Sequence, residues 1–541
     1  MPRIPLVGSS FKGVSAQLDS QKTMNLMVER ADSKEAAAPA ALIGTPGLSI
    51  MTIVGAATSA PLRAMLELPP LAGSRLNSLL IVMKVGASDI VYLITCDETE
   101  FAATGNMVYT LSAAITNQPG FDADYPPMIV ASPVTAVISN IGGLIGIYYT
   151  LASGAVGTMT LDAAPTSAIP FADMTHLAGY FVAYMKSGTG AFHYIFYSAN
   201  GIAWVSADFF TAEADSSEVV KLVEKNGHLW VLKSKCIQVF APTGQANNPF
   251  APIQSATIQK GCRSKETVRL IGNYIYFLGN SEDGSGFVVY RVAGSEAQRV
   301  SNGFVEKKLQ DIFDAFGPAG INDIVASNAV ERGRNLYKLH CHRGKTTMVF
   351  DELTGEWHER GFLNPSTGEY EEELGTIECS FNGKHIAGER RDGLVADATL
   401  PGFGIYEVSE QFTENNVWYT DSVAHAAGVD TIIRRERISP QFSDPDGRLL
   451  TCSELELLFE NGFANSNGQG SDPKVTLYIS HDGGNTWGNG ITRSIGMIGK
   501  YKDRCVFHRL GSSHKFTFKI EMTDPIAWKL ANANATFSVG E

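Results

Sequence analysis

Residues 227–240 read Gly-His-Leu-Trp-Val-Leu-Lys-Ser-Lys-Cys-Ile-Gln-Val-Phe. Two runs rich in β-branched and aromatic residues, 229–232 and 236–240, flank Lys233-Ser234-Lys235, which is a β-hairpin signature. The pattern recurs at 79–84 and 90–95 around Gly86-Ala87-Ser88-Asp89, and at 180–185 and 192–197 around Ser187-Gly188-Thr189-Gly190. It returns at 274–278 and 287–292 around a longer loop, 280–286, and at 336–340 and 346–350 around His342-Arg343-Gly344. Helical periodicity is scarce, and 305–316 is the best candidate.

The hairpins are also periodic. A glycine opens the first strand of each at Gly143, Gly179, Gly227, Gly272, Gly333 and Gly383, with spacings of 36, 48, 45, 61 and 50 residues and an earlier cousin at Gly73. Propeller blades repeat at roughly 40 to 50 residues, because each small antiparallel sheet must stack on neighbours to bury its faces. The expectation is a mainly β protein with a β-propeller of six or seven blades over 60–400, closed by chain termini. Unrelated hairpins in β-sandwiches are the competing reading. After Asp392 the chain carries more charge, and Phe516, Phe518 and Ile520 alternate with Lys515, Thr517, Lys519 and Glu521 as in a half-buried strand. Residues 401–541 are expected to form an additional C-terminal antiparallel β domain, and residues 1–59 an extended or mobile N-terminal arm.

Composition narrows the function. Of 541 residues, 43 are Lys or Arg and 56 Asp or Glu, a net charge of −13 that excludes a basic nucleic-acid binder. Only 18% of residues are charged, so much of the surface is neutral, as expected of a subunit that hides surface against neighbours. The seven cysteines are scattered without a CxxC pair, which suggests reduced thiols. No apolar leader is visible in residues 1–10. Residues 125–161 carry no charge, but Pro133, Asn140 and Gly142-Gly143 interrupt them, so strands and turns are expected there instead of a membrane helix.

The sharpest local motif is Ser480-His481-Asp482-Gly483-Gly484-Asn485-Thr486-Trp487, an Asp-box pattern. Ser480 and Asp482 are suited to accept hydrogen bonds from turn amides, Gly484 permits positive φ, and Thr486 and Trp487 complete a turn with Trp487 anchored on the sheet. Looser cousins are Ser198-Ala199-Asn200-Gly201-Ile202-Ala203-Trp204 and Asp351-Glu352-Leu353-Thr354-Gly355-Glu356-Trp357. All three are expected to be structural; no catalytic, metal or cofactor residue is assigned and no cofactor is expected. Gly344-Lys345-Thr346 lacks the upstream glycine and following helix of a P-loop. In His340-Cys341-His342, strand alternation sends Cys341 away from two partly exposed imidazoles. Arg434, Arg435 and Arg437, then Lys500, Lys502 and Arg504, form basic patches, and Glu369, Glu371, Glu372 and Glu373 an acidic loop; solvated faces or subunit salt bridges are the expected role, with a phosphate contact weakly supported.

In their common order, several short stretches carry a resemblance. They are Met24-Asn25-Leu26, Gly44-Thr45-Pro46-Gly47-Leu48, His176-Leu177-Ala178-Gly179-Tyr180-Phe181-Val182, Trp204 and Asp208-Phe209. Then follow His228-Leu229-Trp230-Val231-Leu232, Ile237-Gln238-Val239-Phe240 with Thr243-Gly244, Lys260-Gly261-Cys262, Arg299-Val300-Ser301, and the Asp-box hairpin with 504–510 beyond it. Together the chain resembles the packaged-DNA stabilisation proteins of P22-like short-tailed bacteriophages, which are tail hubs of the head-to-tail connector. Met27-Val28 departs from the more aromatic continuation of that family, and the Asp-box is sharper.

The resemblance implies a non-enzymatic virion protein, assembled in the host cytoplasm as a ring, usually a homohexamer, in the tail. It implies docking below the portal and its adaptor ring, partnership with tail needle and tailspike proteins, and closure of the exit channel over packaged double-stranded DNA. No membrane insertion is implied. An acidic chain there would line the channel with a wall that repels phosphate and lets DNA slide during ejection. The alternative is an Asp-box propeller that binds glycans or acts as a sialidase-like glycosidase, against which stand the single sharp Asp-box and the lack of an arginine-rich catalytic pattern. A receptor-binding spike would need a repetitive β-helix.

Overall fold

The computed structural model describes residues 4–540 except 9, 13–19, 32–37, 52, 55–60, 72–73, 86–87, 98–100, 104–106, 116–126, 140–145, 163–170, 186–193, 283, 285, 390–403 and 418–428. Gly143, Gly73, Gly86-Ala87 and the Ser187–Gly190 turn lie outside the described residues. Seven antiparallel sheets follow one another along the chain. Their first strands are Leu62–Leu68, Met128–Ala131, Phe171–Leu177, Val219–Lys225, Arg269–Ile271, Val325–Glu331 and Ile377–Phe381, and we number the blades 1 to 7 in that order. First strands of neighbouring blades pack against one another, blades 4 and 5 meet through a shared apolar cluster, and the first strand of blade 7 lies against that of blade 1, so the ring is closed.

The recurrent glycines are explained by the turn between the first and second strands. Asn226 and Gly227 have φ of 52° and 74°, Arg332 and Gly333 50° and 72°, and Asn382 and Gly383 48° and 78°. Positive φ at both central residues is the type I′ hairpin turn, whose twist matches that of the strands it joins. Apolar clusters then seal each blade to the next. Val223, Trp230 and Leu232 of blade 4, for example, pack on Ile275, Phe277 and Val292 of blade 5. The long spacing between Gly272 and Gly333 is explained by an inserted helix, Gly303–Asn322, capped by Asn302, whose Oδ1 accepts from Val305 N at 3.1 Å. Its Phe304, Val305, Leu309 and Ile312 face the core between blades 5 and 6. The uncharged stretch 125–161 contributes the four strands of blade 2, and among the described residues no helix is long and apolar enough to cross a membrane.

Seven blades need a closing strand, and the N-terminal segment supplies it. Gly47–Ile50 pairs antiparallel with Ile405–Ser409 as the fourth strand of blade 7, in register Leu48↔Val408, and Asn415–Val417 and Val429–Thr431 extend the sheet beyond it. Leu48 is buried with Phe362, Leu374 and Tyr406, a burial that contributes roughly 1.5–3 kcal/mol. Two expected boundaries therefore shift. The propeller runs past 400 to Ser409 and recruits residues 47–50, and segment 1–59, where described, is extended but laced into sheets instead of hanging free. The physical reason is that an open blade would leave the backbone of 405–409 unpaired. Gly47 is chosen by space, because a Cβ there would stand 2.2 Å from the Glu414 carbonyl oxygen and 2.7 Å from that of Phe412. Gly47→Ala is expected to cost about 1–3 kcal/mol or more by overpacking. Its thermal midpoint should fall; an unchanged midpoint would mean that this strand does not hold the ring.

The remaining strands form a β-sandwich. One sheet runs in the order Leu26–Arg30, Ala40–Gly44, Lys529–Val539, Leu450–Phe459, Cys505–His508. The other runs Ser20–Met24, Arg435–Ile438, Lys515–Met522, Lys474–Ser480, Ile491–Ser494. Leu26, Val28, Leu455, Phe507, Phe518 and Ile520 meet between them. The second sheet does not stop at the sandwich: Ser20–Met24 also pairs in parallel with Glu356–Arg360, the outer strand of blade 6, so one sheet runs through both modules.

Candidate functional site

Two places carry most of the buried polar chemistry: the joint between propeller and sandwich, and the seam between blades 6 and 7. At the joint, Asn25 takes φ of 54° and acts as a two-sided clamp. Its Nδ2 donates to the carbonyls of Gly361, just after blade 6, and Arg434, in the sandwich, both at 2.9 Å, while its Oδ1 accepts from Gly361 N at 2.9 Å. Arg437, fully buried, donates from Nε to Leu6 O at 2.6 Å and from Nη1 to Thr23 Oγ1 at 2.8 Å. The N-terminal segment is thus pinned by side chains as well as by sheet pairing.

The seam carries a buried ionic network. Arg360 donates to both Glu331 oxygens at 2.7 and 2.8 Å, and Lys338 reaches Glu331 at 3.4 Å, Glu373 at 3.3 Å and Glu378 at 3.1 Å. Glu378 also accepts from Ser327 Oγ at 2.9 Å and meets His385 Nε2 at 2.7 Å, while His340 Nε2 bonds Ser327 at 2.8 Å. Burial alone would raise the Glu331 carboxyl, but Arg360 and Lys338 outweigh it and hold it at about 2. Burial likewise pulls against the charge on Lys338, and Glu373, Glu378 and Glu331 outweigh that, raising it above the usual range. The His340 ring, shut away from water, is pushed down to about 3 and held neutral.

Several expected surface features belong to this interior. His340 is buried, not partly exposed, because the face of its strand opposite Tyr337, Leu339 and Cys341 meets the seam instead of water. His342 pairs with Glu372 at 2.7 Å. In the expected acidic loop Glu371 pairs with Lys345, Glu372 is buried and Glu373 joins the seam, leaving only Glu369 of the four on the surface. Arg435 and Arg437 are fully buried, which overturns their reading as a surface patch, and Arg434 pairs with Glu521 at 2.7 Å. Gly344-Lys345-Thr346 is a hairpin turn followed by a strand. Among the described residues, no group of three or more His, Cys, Asp or Glu is placed to hold a metal ion. All seven cysteines are free.

The Asp-box residues do come together. Ser480 Oγ accepts from Gly484 N at 2.8 Å and donates to Asp482 Oδ1 at 2.7 Å. Asp482 Oδ1 accepts from Asn485 N and Thr486 N at 2.9 Å, and Oδ2 from Thr486 Oγ1 at 2.6 Å; these bonds, Thr486 first, hold its carboxyl well below the usual range. Gly484 has φ of 96°. Trp487 is only half-buried and lies under Lys519, whose Nζ is 5.2 Å from its ring, so it props a lysine instead of anchoring in a core. The cousin at Ser198–Trp204 places its Trp204 in the core against Phe171, with ring centroids 4.5 Å apart.

Sequence reasoning missed Asn25 as a clamp and the seam residues as a network. Met24-Asn25-Leu26 stood out only through resemblance, and Lys338 and His340 alternate with apolar neighbours as solvent-facing residues do.

A closed propeller fused to a β-sandwich through a shared sheet, with a buried ionic network in one blade seam, defines a structural scaffold. A family model described as Bacteriophage P22 Gp10, beta-propeller, matches residues 129–396, and a second, described as Bacteriophage P22 Gp10, beta-sandwich, matches residues 435–538. The chain belongs to this family of structural phage stabilisation proteins. Among curated proteins none matches. Solved structures that it is similar to include U3-55K, at 10% identity and TM-score 0.37 over 67% of this chain and 99% of that one. Others are Kluyveromyces lactis Hsv2, at 10% identity and TM-score 0.31 over 63% and 97%, and the N-terminal domain of Nup159, at 10% and 0.36 over 72% and 98%.

Proposed function

We propose that this phage structural protein is a tail hub that docks in several copies, as a ring, below the portal and its adaptor, closes the DNA exit channel and carries the tail needle or tailspikes. The observation that carries this reading is the match of both modules, propeller and sandwich, to the Gp10 family. The architecture suits the load. Packaged DNA under pressure loads a plug, and a propeller whose seventh blade and sandwich are laced by one N-terminal segment cannot open at that blade without breaking those pairings.

DNA would not pass through the propeller itself. Seven first strands spaced about 10 Å apart around an axis enclose a bore that side chains reduce to roughly the width of one DNA groove. The channel therefore lies between copies, and the net charge of −13 makes its wall acidic or neutral, which lets phosphate slide past. The test is deletion of this gene in its phage. Heads are expected to package DNA and then lose it, scored as nuclease-sensitive DNA outside capsids. Heads that keep their DNA without the protein would refute the stabilising role.

A further inference from the structure

Two exposed apolar clusters flanked by opposite charges lie on different modules, one on the sandwich and one on the propeller. The first is the turn that follows Ile491–Ser494, the strand that ends the shared sheet farthest from blade 6. There Lys500 N donates to Met497 O at 3.0 Å, and Gly499, with φ of 77°, fixes the bend. The turn holds Met497, Ile498 and Tyr501 at 49%, 59% and 68% exposure, and Phe463 meets Tyr501 edge-on at 6.4 Å. Exposed Lys500 and Lys502 have no carboxylate partner among the described residues. The knob is apolar and basic on an acidic chain, and its backbone is already fixed.

The second cluster is on the rim of blade 3. Phe209 opens the outermost strand Phe209–Thr211 and packs edge-on against Tyr194 at 4.6 Å, with Val205 beside them; all three are about two-fifths exposed. Asp208 and Glu213 flank them without a cation partner among the described residues. The neighbouring Ser198–Trp204 turn, bonded through Ser198 and Asn200 and seated by Trp204, stiffens this edge.

Blade 3 and blade 6 are three places apart in a ring of seven, roughly 150° around the axis. The knob follows the strand at the end of the shared sheet farthest from blade 6, so rim and knob are separate surfaces of one chain. Complementary patches at two different places on one chain are the requirement for a heterologous contact, which closes into a ring when its rotation allows. We propose that the Met497–Lys502 knob of one copy docks on the acidic aromatic rim of blade 3 of a second copy of this chain. This rests on the ring reading above and supplies its contact. Exposed aromatics at the centre and unspent charges around them are the composition of a docking hot spot.

The test uses assembled particles. With Ile498→Cys and Phe209→Cys in one chain, a short bismaleimide is expected to give a ladder of multimers up to the ring's copy number, and either single variant none. Lys500→Glu with Lys502→Glu is expected to cut infectious particles at least about tenfold, with Asp208→Lys and Glu213→Lys restoring them. No ladder in particles that hold several copies overturns this contact and leaves the ring standing. One copy per particle would overturn the ring itself. Full infectivity of the charge reversal would also overturn the contact.

Discussion

Arg360→Met is expected to lower the unfolding free energy by about 3–5 kcal/mol, because it strands a buried charge and leaves the fold otherwise unchanged. Arg360 and Glu331 are both almost fully buried and share two hydrogen bonds, while methionine keeps most of the side-chain volume. Lys338 alone cannot neutralise Glu331, since it is also shared with Glu373 and Glu378. The double variant Arg360→Met, Glu331→Leu should recover much of the loss, as replacing a buried pair by apolar groups costs far less than halving it. Urea titration measures both; a loss under 1 kcal/mol in the single variant would show that water reaches the seam.

Acid acts on the same place. The His340 ring titrates at about 3 in the fold against 6.5 unfolded, so between those values the unfolded chain binds a proton that the native one refuses. Stability therefore rises with pH across that window and is lost as pH falls below 6.5, by on the order of 2–3 kcal/mol at pH 4.5. The Glu331 contribution, full above 4.5, fades only as pH falls towards about 2. His340→Gln, which cannot charge, should remove this part of the loss between pH 7 and 4.5 and leave that of His358, which burial also holds well below the usual imidazole range.

Removal of residues 1–50 is expected to abolish the native state. It takes away Ser20–Met24, Leu26–Arg30 and Ala40–Gly44 from the two sandwich sheets and Gly47–Ile50 from blade 7. It also strands Arg437, whose partners are Leu6, Gln21, Lys22 and Thr23, inside an apolar sandwich. The expected product keeps far-ultraviolet β signal, loses near-ultraviolet signal and binds hydrophobic dye. A truncated protein with an unchanged melting midpoint would restore the picture of a free arm.

These outcomes trace what the sequence could and could not show. Blades were legible because a hairpin is a local event: Asn226-Gly227 and Asn382-Gly383 announce their turns within two residues. A helix over 305–316 was legible from its own periodicity, and a C-terminal antiparallel β module was legible through Phe516, Phe518 and Ile520, which do point inward. Closure by a terminal segment was expected, but which residues supply it was not legible, because Leu48 pairs with Val408, 360 residues away, and four residues carry no period of their own. Arg360, Arg437 and His340 were hidden by a rule that usually holds, that charged and polar side chains face water. The Asp-box turn was visible residue by residue, yet the half-exposed Trp487 shows that a motif fixes backbone geometry more firmly than the depth at which it sits.

The lacing also sets a clock. Ile43 pairs with Lys529, and Leu48 with Val408, so a nascent chain carries its first strands without these partners while several hundred further residues are made. At roughly 5–20 residues per second that wait is on the order of a minute. Chains released early have neither a shut propeller nor a full sandwich to offer a growing particle. Shape alone thereby separates unfinished chains from complete ones.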